Sequence, residues 1–306
     1  MKAIQYKSFG SSDVLQLNQI SKPTTQENEV LIKIAAITVN PLEMKIREGY
    51  LEQVMPTTFP YTPGSDVSGV VEAVGSKVSR IKPGDRVYAT NYGGTYTEYC
   101  SLSEDQVAII PDNVSLNEAA ALAIPLTTAY TLLVEAGQLQ EGQKVLIHGA
   151  SGGVGSIMVQ MAKALGAYVI GTASGTEHDR VKTLGADEVI DYKTKDFTAI
   201  VKDLDIVADL VGGETQSNSF RVLKKGGKLI STVMPPSNEL ADKYQVSAQF
   251  IMSNPSYKKL DYSKPFIEEG KIKAQIAKTM KLEQAAEAQD LVSKGGINGK
   301  LVLEIL

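Results

Sequence analysis

The spacing of apolar residues changes character near the middle of the chain. Through the first third, short β-rich runs at 4–6, 14–17, 30–34, 67–74 and 86–89 are separated by turn-forming stretches such as Pro63-Gly64 and Lys82-Pro83-Gly84-Asp85. Frequent turns between such runs predict a barrel-like all-β unit. Residues 116–133 read as a helix rich in alanine, with Pro125 as a kink or break. From residue 145 onward, strand-like runs at 145–148, 168–172, 188–190, 206–209 and 228–233 alternate with helical spacing at 153–165, 177–184 and 214–223. That alternation predicts a parallel sheet with helical crossovers, a doubly wound α/β unit. The strand 228–233 is expected at the sheet edge. The chain is helical again near 258 and closes on a strand-like run at 299–306. That run has no place in the parallel sheet and is expected to return to the first unit.

The most specific pattern lies where the rhythm changes. Val145-Leu146-Ile147 is a β-rich run, residues 149–155 (GASGGVG) form a glycine-dense turn, and apolar residues then recur at helical spacing until Gly166. A second strand, Tyr168-Val169-Ile170, follows. Strand, glycine turn, helix and strand are the context of a dinucleotide fingerprint. Small residues let the backbone close on a pyrophosphate, whose charge meets the N–H groups at the helix start. Gly152, Gly153, Val154 and Gly155 are therefore candidate cofactor-binding residues.

At 306 residues the chain exceeds one ordinary core, and two domains are expected. The net charge of −4 gives no reason to expect nucleic acid or an anionic membrane as partner. No apolar run reads as a membrane span and the first ten residues lack a signal peptide's apolar core, so a cytoplasmic protein is expected. With one cysteine, Cys100, and two histidines, His148 and His178, the chain offers no ordinary Cys/His zinc site, and no metal is expected. His148 reads as a satisfied buried or half-buried residue and Cys100 as a buried structural thiol.

Several motifs occur in one order along the chain: residues 39–49 (VNPLEMKIREG), 63–71 (PGSDVSGVV), 82–87 (KPGDRV), the glycine turn, Leu184-Gly185-Ala186-Asp187 with Ile190-Asp191-Tyr192, and Glu269-Gly270-Lys271-Ile272. In these the chain resembles the medium-chain dehydrogenase/reductase superfamily, and within it the zinc-independent NADPH:quinone oxidoreductase (zeta-crystallin-like) branch, from end to end. The resemblance implies a GroES-like β-barrel catalytic domain, residues 1–124 and 264–306, with a Rossmann cofactor domain at 125–263. It also implies a homodimer. Zinc-dependent members place a ligating cysteine where this chain has Asn40 and a ligating histidine where it has Ser65.

Hydride transfer to a quinone needs aligned carbons, excluded water and a stabilised oxyanion. Asn40 is a candidate partner for nicotinamide, ribose or substrate carbonyl, Lys45 for an enolate or hydroquinone anion, and Tyr50 a proton donor or stacking wall. The alternative is a polar, solvated helix start, with Arg47 pairing Asp66 or Glu43. At the end of the second Rossmann strand an NAD enzyme usually carries a carboxylate about 20 residues beyond the glycines. Ala173 stands there instead, so NADPH is expected, its 2′-phosphate recognised by Ser174, Thr176, His178 or Arg180; the resemblance places Ser174, a nearby basic residue and Tyr192 around it. Thr128, with Thr127, matches a segment near the nicotinamide, and Val211 with Gly212 follows a strand at the sheet's carboxyl edge. By the same resemblance Met234, Phe250 and Asn254 line the cleft. The reading is an NADPH-dependent reductase of quinones or similar activated carbonyls. The alternatives are a 2-alkenal or enoyl reductase and a non-enzymatic nucleotide-binding protein.

Overall fold

A computed structural model of the chain describes residues 1–305. Its first seven strands are β1 (Lys2–Gln5), β2 (Gln16–Gln19), β3 (Glu29–Thr38), β4 (Asp66–Val74), β5 (Arg86–Thr90), β6 (Tyr99–Ser103) and β7 (Val107–Ile109). The run at 14–17 becomes a strand only from Gln16, because Ser12–Val14 closes a 3-10 turn. The long strand β3 is rich in β-branched residues, and Val30, Ile32, Ile34 and Ile37 are fully buried. They pack with Val67, Val87 and Leu102 into the core of this unit. Cys100, on β6 opposite Ile32, is buried in that core, and burial pushes its thiol up to about 12.

Two helices belong to this stretch, α1 (Pro41–Arg47) and α2 (Leu116–Tyr130). Pro125 does not break α2. The helix runs through it and widens into a π-helical segment at Thr131–Ala136, where the Gly137 N–H donates to the Leu132 carbonyl at 2.9 Å. Leu116–Ala136 is consequently long and apolar enough to cross a membrane by length and composition, which the sequence reading missed. Most of its apolar window is buried inside the protein.

The second half carries β8 (Lys144–Ile147), α3 (Gly153–Ala164), β9 (Tyr168–Ala173), α4 (His178–Thr183), β10 (Glu188–Asp191), β11 (Leu204–Asp209), α5 (Gly213–Ser219), β12 (Leu223–Ser231), α6 (Asn238–Tyr244) and β13 (Ser247–Phe250). Its six strands are all parallel, in the order β10-β9-β8-β11-β12-β13. Val145, Leu146 and Ile147 have no exposed surface, as expected of a strand covered on both faces. The strand order reverses between β8 and β11, and ligands of such sheets bind outside the carboxyl ends at that reversal. One expectation fails here. The run at 228–233 lies in β12, which is not an edge strand. The edge on this side is β13, whose SAQF run is only four residues long.

The chain ends with α7 (Tyr257–Glu268), β14 (Ile276–Lys281), α8 (Ala285–Ser293) and β15 (Lys300–Glu304). As expected, the last strand returns to the first sheet: β15 pairs antiparallel with β3 and parallel with β14. The seven-stranded sheet runs β14-β15-β3-β4-β5-β7, with β6 also on β3.

The contacts divide the chain into two compact units. One contains Met1–Ile124, Pro255–Lys264 and the chain from Ala274 onward; the other contains Pro125–Asn254 and Pro265–Lys273. Two short stretches thus fall on the other side of the boundaries read from the sequence. Tyr257 is drawn into the first unit by the Arg80 guanidinium, 3.5 Å from its ring centroid. Lys273 is held in the second by a reciprocal pair of hydrogen bonds with the Gln160 side chain, at 2.9 and 3.1 Å.

Candidate active site

Each unit carries its own part of the candidate chemistry. In the Rossmann unit, β8 ends at Ile147 and the backbone reverses at Gly149, whose φ of 71° favours glycine. The Gly149 carbonyl accepts the Gly152 N–H at 3.1 Å, and α3 begins at Gly153. The first N–H groups of that helix have no acceptor within the helix and form an anion site. The glycines do two different jobs. A Cβ on Gly155 would lie 2.1 Å from the Gly149 carbonyl oxygen, so this glycine is needed for helix and turn to touch. A Cβ on Gly152 would meet only that same oxygen, at 3.4 Å. Here the protein leaves open space over the helix start, and a pyrophosphate fits it.

The expected 2′-phosphate residues gather beside this turn. The Arg180 guanidinium donates to the Ser151 carbonyl at 2.9 Å and lies 3.4 Å from Glu177 Oε2, so its charge is fixed on the glycine turn itself. The Ser174 and Thr176 hydroxyls are 3.0 Å apart, and Tyr192 is exposed. Sequence reading found no carboxylate at the end of β9, but the fold supplies one from the next strand. Asp191, at the end of β10, stands behind Gly175. The Lys193 N–H and Thr194 hydroxyl it accepts hold its carboxyl below the usual range.

Across the strand-order reversal, Asp209 organises the loop after β11. Oδ1 accepts the N–H groups of Val211 (3.0 Å) and Gly212 (2.8 Å); Oδ2 accepts from Gln216 (2.9 Å) and Ser231 (2.8 Å). Val211 is half exposed, and Gly212 has a φ of 81°. Met234 Sδ accepts the Gly213 N–H at 3.2 Å, which places this methionine on the same loop. Phe250 lies at the end of edge strand β13, and Asn254 is exposed. Thr127 and Thr128 are buried within α2. The Thr127 carbonyl accepts the Ser253 hydroxyl at 2.9 Å, and the same hydroxyl lies 2.9 Å from that of Thr131. Asp209 was not singled out from sequence. An acid closing an apolar strand before Gly-Gly was the available signal.

His148 is fully buried, 3.1 Å from the Thr172 hydroxyl and 2.9 Å from that of Ser219, as the sequence reading held. Burial depresses its pKa to about 4, with Asp209 opposing. The ordinary value is 6.5, so between pH 6.5 and 4 the unfolded chain binds the extra proton, and stability falls as pH falls through that window. The loss assignable to His148 is about 3 kcal/mol. Urea titrations at pH 7 and pH 4 should show that much less acid sensitivity in His148→Phe. Equal sensitivity would show that His148 is not the group titrating.

In the barrel unit, Asn40 ends the segment after β3 and precedes α1, and it lies in a buried polar cluster. Its Nδ2 is 3.0 Å from Glu43 Oε1, 3.1 Å from Asp66 Oδ2 and 3.3 Å from the Thr38 carbonyl; its Oδ1 accepts from Lys300. Glu43 Oε2 accepts the Asn40 N–H (3.1 Å) and the Tyr96 hydroxyl (2.6 Å). Burial, then the nearby charge of Asp66, pushes the Glu43 carboxyl up to about 7. Lys300 Nζ is 3.7 Å from Asp66 Oδ2. Lys45 and Tyr50 stand outside this cluster and are exposed, Tyr50 by 76%. Arg47 pairs with neither Asp66 nor Glu43. It donates to Gln289 on α8, to the Gly10 carbonyl (3.1 Å) and to Glu48 (2.7 Å). Its place on the helix face turned toward α8 decides this. Among the described residues no group of three His, Cys, Asp or Glu side chains could hold a metal ion.

Comparison with known proteins agrees with both halves of the fold. The family described as "Alcohol dehydrogenase GroES-like domain" matches residues 26–112, and that described as "Zinc-binding dehydrogenase" matches 184–303. The quinone oxidoreductase of Mus musculus is 34% identical, over 99% of this chain and 97% of the mouse protein. The 2-methylene-furan-3-one reductase of Solanum lycopersicum is 36% identical, over 99% of this chain and 79% of the tomato protein. The Escherichia coli quinone oxidoreductase structure, complexed with NADPH, superposes with a TM-score of 0.90 at 27% identity, covering 99% of this chain and all of that one. The chain is an oxidoreductase that belongs to the zinc-independent quinone oxidoreductase branch of the medium-chain dehydrogenase/reductase superfamily.

Proposed function

We propose that the protein reduces a quinone or similar activated carbonyl with NADPH, as a cytoplasmic homodimer. The observation that carries this reading is the open space over Gly152 at the start of α3, with the Arg180 guanidinium fixed to the same turn. Bound there, NADPH supplies the hydride. Gly152, Gly153, Val154 and Gly155 close on its pyrophosphate through backbone N–H groups. Ser174, Arg180 and Tyr192 take the 2′-phosphate, for which Arg180 brings a charged donor. Thr128, Val211 and Gly212 orient the nicotinamide half. Lys45 offers a positive charge to the oxygen that gains electrons, and Tyr50 a stacking face or a proton. With Oδ1 and Nδ2 both engaged within the barrel, Asn40 acts by holding the start of α1, which carries Lys45. The unpaired edge of β13 is the surface offered for dimerisation. The tomato relative supports a second reading, reduction of an α,β-unsaturated carbonyl.

The test is oxidation of NADPH and NADH at 340 nm with 1,4-benzoquinone, 9,10-phenanthrenequinone and a 2-alkenal, for the native chain and Arg180→Leu. We expect quinones to be reduced fastest and NADPH to be preferred. Arg180→Leu should raise KM for NADPH about tenfold, the size of one charge-assisted hydrogen bond, and leave NADH unchanged. A faster alkenal would favour the second reading. Equal effects on both nucleotides would remove Arg180 from phosphate recognition.

A further inference from the structure

The buried ring of His148 has a role that burial alone does not explain. We propose that His148 is a positioning residue for cofactor binding: a one-way chain of hydrogen bonds through its ring sets the Gly149 turn against helix α5 and so fixes the two loops at the strand-order reversal relative to each other. This inference rests on the assignment of the cofactor to the glycine turn.

The direction of the chain follows from its far end. The Ser219 hydroxyl donates its single hydrogen to the Thr215 carbonyl at 2.7 Å. At its 2.9 Å contact with His148 Nε2 it must therefore accept, so Nε2 carries the ring hydrogen. The neutral ring leaves Nδ1 as an acceptor, filled by the Thr172 hydroxyl at 3.1 Å. With its hydrogen spent on the ring, the Thr172 oxygen accepts the Gly149 N–H at 3.3 Å. The whole assignment follows from the Ser219 hydroxyl's bond to a carbonyl, which can only accept.

The route joins the parts that must be held apart at a set distance. At one end is the turn whose Gly149 carbonyl supports Gly152 and touches Gly155. At the other is α5, which follows directly on Val211 and Gly212. The Phe197 ring stands edge-on to the imidazole at 4.8 Å, and the ring's depressed basicity keeps it neutral above about pH 4. An apolar residue would fill the space without specifying the distance between these loops.

The test is the NADPH dissociation constant from nucleotide fluorescence, with a melting temperature for every variant. Thr172→Val and Ser219→Ala should each weaken NADPH about five- to tenfold, the net worth of one buried hydrogen bond. Thr172→Ser, which keeps the hydroxyl, should bind like the native chain. In a His148→Phe background Ser219→Ala should cause no further weakening, because the connection is already cut. Gly152→Val, which fills the open space, serves as the control and should abolish binding. If it does so while Thr172→Val and Ser219→Ala keep native affinity, the proposal is overturned and His148 is structural only. Equal weakening by Thr172→Ser and Thr172→Val would also overturn it. If Gly152→Val binds normally, the placement of the cofactor itself is at fault.

Discussion

Replacing Lys300 by methionine should lower the unfolding free energy by about 3–5 kcal/mol, the usual cost of removing one partner from a buried ion pair. Lys300 is 6% exposed, and its ammonium lies between Asn40 Oδ1 and the fully buried Asp66 carboxylate. Burial alone pulls its pKa below the usual lysine value, and the carboxylates of Asp66 and Glu43 act against that pull. Two acids and one lysine share this interior; burial, then the charge of Asp66, makes Glu43 hold its proton to about pH 7. Without the lysine, Asp66 keeps its bonds from the Thr38 N–H and hydroxyl but loses its nearest cation. The cost belongs to the uncompensated charge rather than to lost packing, since methionine nearly matches the stem of lysine. Asp66→Asn combined with Lys300→Met should therefore recover most of the loss. Urea unfolding of the single and double variants decides the matter. A single variant within about 1 kcal/mol of the native chain would mean that water reaches this cluster and screens it.

The second large effect is expected at Gly155. Alanine there would place its Cβ 2.1 Å from the Gly149 carbonyl oxygen and 2.9 Å from the Ala150 Cα. All the atoms it meets are backbone, so no side chain can rotate aside, and α3 must shift away from the turn. We expect a loss of about 3 kcal/mol in stability, at the upper end for overpacking, and roughly a hundredfold weaker NADPH binding as the helix start leaves the phosphate. Gly152→Ala adds the same methyl group at an ordinary contact distance and should leave stability within about 1 kcal/mol. Thermal melts and NADPH titrations of the pair separate the two glycines. A loss at Gly155 as small as that at Gly152 would show that the turn is loose enough to absorb either methyl.

Much of this architecture is legible because it has a local cause. Period-two runs, turn residues and the glycine fingerprint each act over a few residues, and they located the β unit, the parallel sheet and the cofactor turn. The return of the last strand was readable for a different reason: 299–306 had no partner in a parallel sheet. What the sequence hid depends on distance along the chain or on weak local signals. Lys300 meets Asn40 across 260 positions, and no periodicity marks such a contact. Asn40 therefore read as a substrate-facing amide, although its neighbours consume its polar groups. Arg47 was likewise read with Glu43 or Asp66, while α8 brought Gln289 to it and its chain neighbour Glu48 took its Nη2. The edge strand β13 escaped notice because its alternation of polar and apolar residues spans only Ser247–Phe250, too few to stand out, and pairing with β12 is what defines it. Asp191 was overlooked because a carboxylate was sought at the end of the second strand, whereas this one closes the third and comes behind Gly175 only through the pairing of the two strands.

The lone thiol of Cys100 gives the molecule a chemical clock. Thiolate is the species that attacks alkylating reagents, and a thiol held near pKa 12 inside the β unit offers almost none while that unit is closed. The Rossmann unit has no cysteine at all. Labelling of the native chain by iodoacetamide therefore counts openings of the barrel and is blind to those of its companion. One covalent reaction thus times one half of the protein while the other half remains silent.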